Sequence, residues 1–285
     1  MKKLQNIFSI ILAVLFLTSC EKQTLEYQAE KISDETAQFQ LFYMNPLATG
    51  TANNINKVEL NGQLLANQTA PMAVFNFIPS GAVSKFYAAQ AGSANLKLYR
   101  GAVTSLTLAY DQSINIPAGK NQIFVHDFTK APVILPYPTP LPSVTTEHTG
   151  TTAWIRFYNF MYESAGVPTT FKLQYQWQYT TDNATAAKSD WFNLGSPVSF
   201  GEATGWEPVT VNKTVEISAG TARIDYRIRL IGPDGSDQGS LKVGTAGTTD
   251  YTDWWTAQIG RVYNHVFAGY RTGTPAVGIK QSLAL

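Results

Sequence analysis

The sequence predicts an all-β protein built as two antiparallel β-sandwich domains. Three observations point there. From Ala37 onward, short runs rich in Val, Ile, Tyr, Phe and Thr are bounded by Gly, Pro, Asn and Asp. Two segments alternate strictly between apolar and polar residues, the pattern of a sheet with one face on a core and one on water. No window shows a sustained helical stripe with caps, so paired sheets are the economical architecture.

Ahead of these strands lies an address. Lys2 and Lys3 precede an apolar run from Ile7 to Leu17, and Leu17-Thr18-Ser19-Cys20 follows before the chain turns polar at Glu21. A charged start, a short apolar stretch and small residues before a cut read as an export signal over residues 1–19. The apolar run is too short to cross a bilayer. The cysteine placed after it resembles a bacterial lipobox, which predicts lipidation (palmitate included) at Cys20 and a polar tether over residues 20–36. The alternative is a free cysteine behind an ordinary signal. Cys20 is the only cysteine, so no disulfide is available. Cleavage before Cys20 leaves 266 residues (285 minus 19), and loss of Lys2 and Lys3 moves the net charge from +1 to −1. A balance this close to neutral argues against nucleic acid as a partner.

In the first half, the expected strands are Gln38–Met44, Lys57–Leu60, Ala73–Ile78, Lys85–Ala89, Leu96–Tyr99, Thr104–Ala109 and Asn121–Asp127. Asn61-Gly62 reads as a hairpin turn because both residues tolerate positive φ. Pro79-Ser80-Gly81 and Pro117-Ala118-Gly119 read as further turns. This first domain is expected over residues 37–135. The segment Pro132–Pro142 carries five prolines in eleven residues, which a central strand cannot hold. It is expected to be extended and semi-rigid, with a linker over residues 136–151, although Val133-Ile134-Leu135 also suits an edge strand.

The second domain, residues 152–285, opens as the first does: Thr152-Ala153-Trp154-Ile155-Arg156-Phe157 echoes Thr36-Ala37-Gln38-Phe39-Gln40-Leu41, a weak internal repeat. The two alternating segments are here. Phe171–Tyr179 sets Lys172, Gln174, Gln176 and Gln178 on its polar face, and Arg223–Leu230 sets Arg223, Asp225, Arg227 and Arg229 on its own. If these strands are neighbours, the result is a wide hydrogen-bonding sheet surface; the plainer reading is a solvated face with cross-strand ion pairs. Asp182–Ser189 suits a helical turn.

Catalytic and cofactor motifs are lacking, which predicts no enzyme and no cofactor. His126, His148 and His265 have no partners at zinc-ligand spacing and read as scattered surface polarity, so no metal is expected. No nucleophile elbow or Gly-rich phosphate loop occurs. Asp234-Gly235-Ser236-Asp237 lacks the ligand order of a calcium loop and reads as a turn.

Tryptophan is the exception. All six lie after residue 153. Trp154 and Trp177 fall in strands and read as core. Trp191, Trp206, Trp254 and Trp255 sit in polar, turn-rich segments and are the candidate ligand-binding residues. A flat ring stacks on the C–H face of a sugar while polar neighbours satisfy the hydroxyls. The alternative is that these rings plug the ends of a sandwich.

The lipobox, the polar tether, and the succession Ala37–Asn45, Val58-Glu-Leu-Asn-Gly62 and Phe75-Asn-Phe-Ile-Pro-Ser-Gly81 resemble an uncharacterised family of immunoglobulin-like cell-surface lipoproteins from Bacteroidetes-type bacteria. The likeness spans residues 37–127 and, more loosely, Arg261–Gly269. It implies an outer-membrane or periplasmic β-sandwich lipoprotein and carries over no catalytic residue. The expected function is a lipid-anchored, non-enzymatic binding protein that takes a glycan through its C-terminal aromatics. The alternative is a structural or adhesion subunit whose terminal strand, Ala276–Leu285, pairs with a neighbouring protein.

Overall fold

The computed structural model describes residues 35–81, 85–102, 104–145, 150–244 and 246–284. Cys20, His148 and nearly all of the tether lie outside them. Each half of the chain folds as two main sheets around a core of its own, and the second half adds a small two-stranded sheet. In the first half the strands are β1 (Thr36–Tyr43), β2 (Ile55–Leu60), β3 (Gln63–Ala66), β4 (Phe77–Ile78), β5 (Tyr87–Gln90), β6 (Gly92–Arg100), β7 (Thr107–Ile116), β8 (Gly119–Val125) and β9 (Val133–Pro136). One sheet runs β4-β1-β8-β9, with β5 also on β1; the other runs β3-β2-β6-β7. At the β2–β3 hairpin, Asn61 (φ 51°) and Gly62 (φ 79°) take the left-handed conformation that the turn requires.

In the second half the strands are β10 (Thr152–Ser164), β11 (Val167–Pro168), β12 (Lys172–Asp182), β13 (Ala187–Lys188), β14 (Phe192–Asn193), β15 (Glu207–Thr210), β16 (Thr221–Ile231), β17 (Asp237–Ser240), β18 (Lys242–Val243), β19 (Thr249–Asp250), β20 (Thr252–Gln258), β21 (Val262–Tyr270) and β22 (Gly278–Leu283). One sheet runs β11-β10-β21-β22, with β15 on β10; the other runs β13-β12-β16-β17, with β14 on β12 and β20 on β16. The opening strands play matching parts. β1 pairs in parallel with β8, and β10 pairs in parallel with β21. The sheets are therefore mixed and not wholly antiparallel, because the last long strand of each half returns beside the first in the same direction.

The sheets containing β1 and β10 also meet each other, and we call them the junction sheets. Along β1, Phe39, Leu41 and Tyr43 enter the first core while Phe42, with Met44 just beyond the strand, faces the other half. Along β10, Ile155, Phe157 and Met161 enter the second core while Tyr158 and Phe160 face back. Phe124 of β8 is central, 4.7 Å from the Phe42 ring and 4.7 Å from the Phe160 ring. Burial on both faces accounts for the near-unbroken apolar runs in β10 and β21.

A polar network closes this junction. The Tyr158 hydroxyl lies 2.6 Å from Gln122 Oε1 and 2.8 Å from Asn264 Oδ1. The buried Arg156 guanidinium donates to three neutral oxygens: Pro136 O at 2.8 Å, Thr204 O at 3.1 Å and Gln122 Oε1 at 3.3 Å. His126 Nδ1 is 2.7 Å from the Tyr162 hydroxyl.

Several local expectations need correcting. The strand expected over Ala73–Ile78 shrinks to β4, since Phe75 adopts φ 64° and breaks the extended backbone. The strand expected over Thr104–Ala109 runs on to Ile116; it forms the edge of its sheet, so the polar residues that hid it face solvent. The helical turn expected in Asp182–Ser189 is instead the turn between β12 and β13, held where Asp182 Oδ1 accepts from Ala184 N at 2.9 Å. In the proline-rich segment, β9 pairs with β8, Tyr137 is buried beside Trp154, Val262 and Ala284, and Pro142–Thr145 forms one helical turn.

Candidate functional site

The outer sheet of the second half carries the site. Alternation along β12 and β16 sends Leu173, Tyr175, Trp177, Ile224, Tyr226 and Ile228 into the core. The opposite face is left to the polar residues, and the register ranks them in rows: Gln178 opposite Asp225, Gln176 opposite Arg227, Gln174 opposite Arg229. β20 extends two rows, setting Trp254 opposite Asp225 and Thr252 opposite Arg227. The segment before β14 brings Trp191 over the same face. Together Gln178, Trp191, Arg223, Asp225, Thr252 and Trp254 line an open cleft of about 340 Å³.

Each tryptophan of the cleft is faced by a guanidinium. Arg223 Cζ lies 4.7 Å from the Trp254 ring centroid, and Arg227 Cζ lies 4.3 Å from that of Trp191. Asp225 is held between two cations, Lys188 Nζ at 2.5 Å and Arg223 Nε at 2.6 Å. Arg227 Nε donates to Gln176 Oε1 at 2.8 Å, and Gln176 Nε2 donates to Asn193 Oδ1 at 2.8 Å. This chain fixes the Arg227 side chain from behind. Burial, and secondarily the charge of Arg229, lowers the Arg227 pKa below the usual guanidinium range. Arg229 makes a two-pronged contact with Asp237, whose carboxyl that hydrogen bond holds below its usual range. The arrangement offers two rings, one half exposed and one partly so, and a rim of fixed donors and acceptors, which is chemistry for holding a polar, flat-faced molecule.

The four tryptophans singled out in the sequence separate. Trp254 is 50% exposed. Trp255, one residue on, points to the other face of the sheet, is 6% exposed and packs edge-on against His265 at 4.8 Å. The period of two in a strand decides this, and Trp255 is a core residue rather than a binding one. Trp206 is remote from the cleft. It packs on Tyr137 at 5.6 Å and donates from Nε1 to Pro138 O at 3.1 Å, beside Arg156. Trp191 and Trp254 alone share the cleft. Gln174 is removed from the open face because its amide donates into the loop backbone at Gly195 O, 3.2 Å away. His126 and His265 are buried and not surface residues; burial lowers the pKa of both, that of His265 to about 3. Asp234 caps its own turn, accepting from Ser236 N at 3.0 Å. Among the described residues, no group of three or more His, Cys, Asp and Glu is placed to hold a metal ion.

One site escaped the sequence. A second cleft of about 440 Å³ opens in the first half between β3, β4 and β5, lined by Leu64, Leu65, Phe77, Lys85 and Tyr87. Exposed Leu64 next to a strong turn is its sequence signal.

Comparison with known proteins adds little. No protein-family model and no curated protein matches the chain. Among solved structures, a similar chain is a leucine-rich repeat protein from Bacteroides thetaiotaomicron VPI-5482, at 14% identity and a TM-score of 0.23. The match covers 85% of this chain and 27% of that one, so this chain spans about a quarter of that protein's length.

Proposed function

We propose that the protein is a lipid-anchored, non-enzymatic binding protein of the bacterial outer membrane, facing the periplasm or the cell surface, whose second half holds a saccharide in the Trp191–Trp254 cleft. The observation that carries this reading is the placement of the Trp191 and Trp254 rings with Gln178, Arg223, Asp225 and Thr252 around one open cleft. A ring stacked on a sugar, with hydrogen bonds to its hydroxyls, is the recognition such a cleft suits. The lipobox at Cys20 and the polar tether support the anchor, and the resemblance to immunoglobulin-like lipoproteins supports the compartment. The assembly reading has less behind it: its exchangeable strand, β22, is already paired with β21 from Gly278 to Leu283.

Two measurements test the proposal. Labelled palmitate should enter the wild type and not Cys20→Ala, and that variant should leave the membrane fraction; equal retention removes the anchor. A glycan array probed with the full mature chain should give binding that Trp191→Ala and Trp254→Ala each weaken by about 1–3 kcal/mol. No saccharide bound, or binding indifferent to both rings, overturns the reading.

A further inference from the structure

We propose that the cleft selects an acidic saccharide, one whose sugars carry carboxylate or sulfate groups, and that Arg227 is the residue that reads the anion. This rests on the saccharide reading above and names its ligand class.

Charge and pairing on the open face carry it. Lys172, Lys188, Arg223, Arg227 and Arg229 stand there with Asp225 and Asp237, while Asp253 also lines the cleft and Asp250 lies near enough to act on Arg227. The carboxylates have partners of their own: Asp225 has Lys188 and Arg223, Asp237 has Arg229, Asp250 has Lys242, and Asp253 accepts from the Tyr226 hydroxyl and Trp254 N. Arg227 makes its direct contacts with neutral partners, and Asp237 and Asp250 act on it only through their charge. Its Nε uses the Gln176 amide oxygen, one face of its guanidinium lies on Trp191, and its Nη atoms have no acceptor among the described residues.

Those Nη groups form a fork that matches a carboxylate or a sulfate edge with two parallel hydrogen bonds. The fork is pre-set, since Trp191 and the Gln176–Asn193 chain fix its plane, so little side-chain freedom is lost on binding. Arg227 is also half-buried beside the Arg229 guanidinium, and the charges of Asp237 and Asp250 offset this only in part, so an anion paired to the fork adds compensation. Thr252, its cross-strand neighbour, lines the cleft, so the fork lies one row from the site where a sugar would stack on Trp254.

The experiment compares oligosaccharides of matched length on the full mature chain by calorimetry. The probes are a galacturonate oligomer, its carboxyl-reduced neutral counterpart and a sulfated galactan oligomer. An acidic oligomer should bind at least about tenfold more tightly than the neutral one, the difference expected of a charge-assisted pair. The better of the two acidic probes identifies the anion. Raised salt should erode that advantage and spare the neutral ligand. Arg227→Gln should abolish the preference while Trp191 and Trp254 still support residual binding. Arg227→Lys, which keeps the charge and loses the fork, should restore part of it, and thermal melting of both variants checks that they remain folded. Equal affinity for acidic and neutral oligomers overturns the acidic class and leaves the saccharide reading standing. Failure of every oligomer to bind removes the saccharide reading itself. Tripolyphosphate or oligothymidylate bound as tightly as the acidic sugars also overturns the proposal, showing a face that takes any anion.

Discussion

Arg156 and Arg227 are built from the same parts and end in opposite surroundings. Each guanidinium faces aromatic rings and touches a glutamine amide oxygen: Arg156 with Tyr158, Trp206 and Gln122, Arg227 with Trp191 and Gln176. Arg156 is 5% exposed and closed over by two more backbone oxygens. Arg227 is only partly covered and keeps its fork free. A sheet whose two faces are both covered spends its polar residues on satisfying one another, because a buried unpaired donor is costly. A sheet with one face open can keep them for a ligand. The junction sheets take the first course, and the outer sheet of the second half takes the second.

The largest test of this contrast is on the junction. Phe124→Ala should cost about 3–5 kcal/mol of unfolding free energy, the range for a large buried aromatic, read by urea denaturation. Arg156→Ala should also be severe, about 2–5 kcal/mol, since it leaves Pro136 O, Thr204 O and Gln122 Oε1 short of a donor. Neither change should touch the cleft. Losses under about 1 kcal/mol in both would show that the two halves do not depend on each other.

Acid comes next. The unfolded chain binds protons on His126 and His265 near pH 6.5, whereas the folded chain resists, His265 down to about pH 3. The unfolded state therefore holds more protons in that window. Stability is full above pH 6.5 and falls toward pH 3, by up to about 1.4 kcal/mol per pH unit from His265, with His126 acting in the same direction. His265→Phe should flatten the slope. An unchanged slope in that variant, measured by melts across pH, removes His265 as its cause.

On the open face, Trp254→Ala should change stability by no more than about 0.5 kcal/mol while weakening saccharide binding. Trp206→Phe should do the reverse, lowering stability through its lost bond to Pro138 O and leaving binding intact. Loss of binding in Trp206→Phe alone would move the site to the junction. The smallest effect is expected at the exposed Arg229–Asp237 pair, where Asp237→Asn should cost under about 1 kcal/mol and less in high salt.

Much of this molecule is legible in the chain. β12 and β16 can be read outright, because one open face forces apolar and polar residues to alternate, and Gln178, Arg223 and Asp225 from their polar faces line the cleft. The Asn61-Gly62 hairpin is legible for a local reason, since few other pairs tolerate its backbone. β10 carries a signal of a different sort: Trp154-Ile155-Arg156-Phe157-Tyr158 does not alternate, which marks a strand covered on both sides. Its polar members, Arg156 and Asn159, are buried on opposite faces.

The sequence by itself determined the all-β class, the alternating face and the presence of tryptophans in polar surroundings. Those follow from period, turn chemistry and composition, which are local. Only the tertiary structure decided that the junction sheets meet, that Trp254 is open while Trp255 is core, and that Trp191 joins Trp254 while Trp206 belongs to the junction. These depend on strand order and register, where a shift of one residue turns a ring from solvent to core, and residues far apart in the chain set that order through packing.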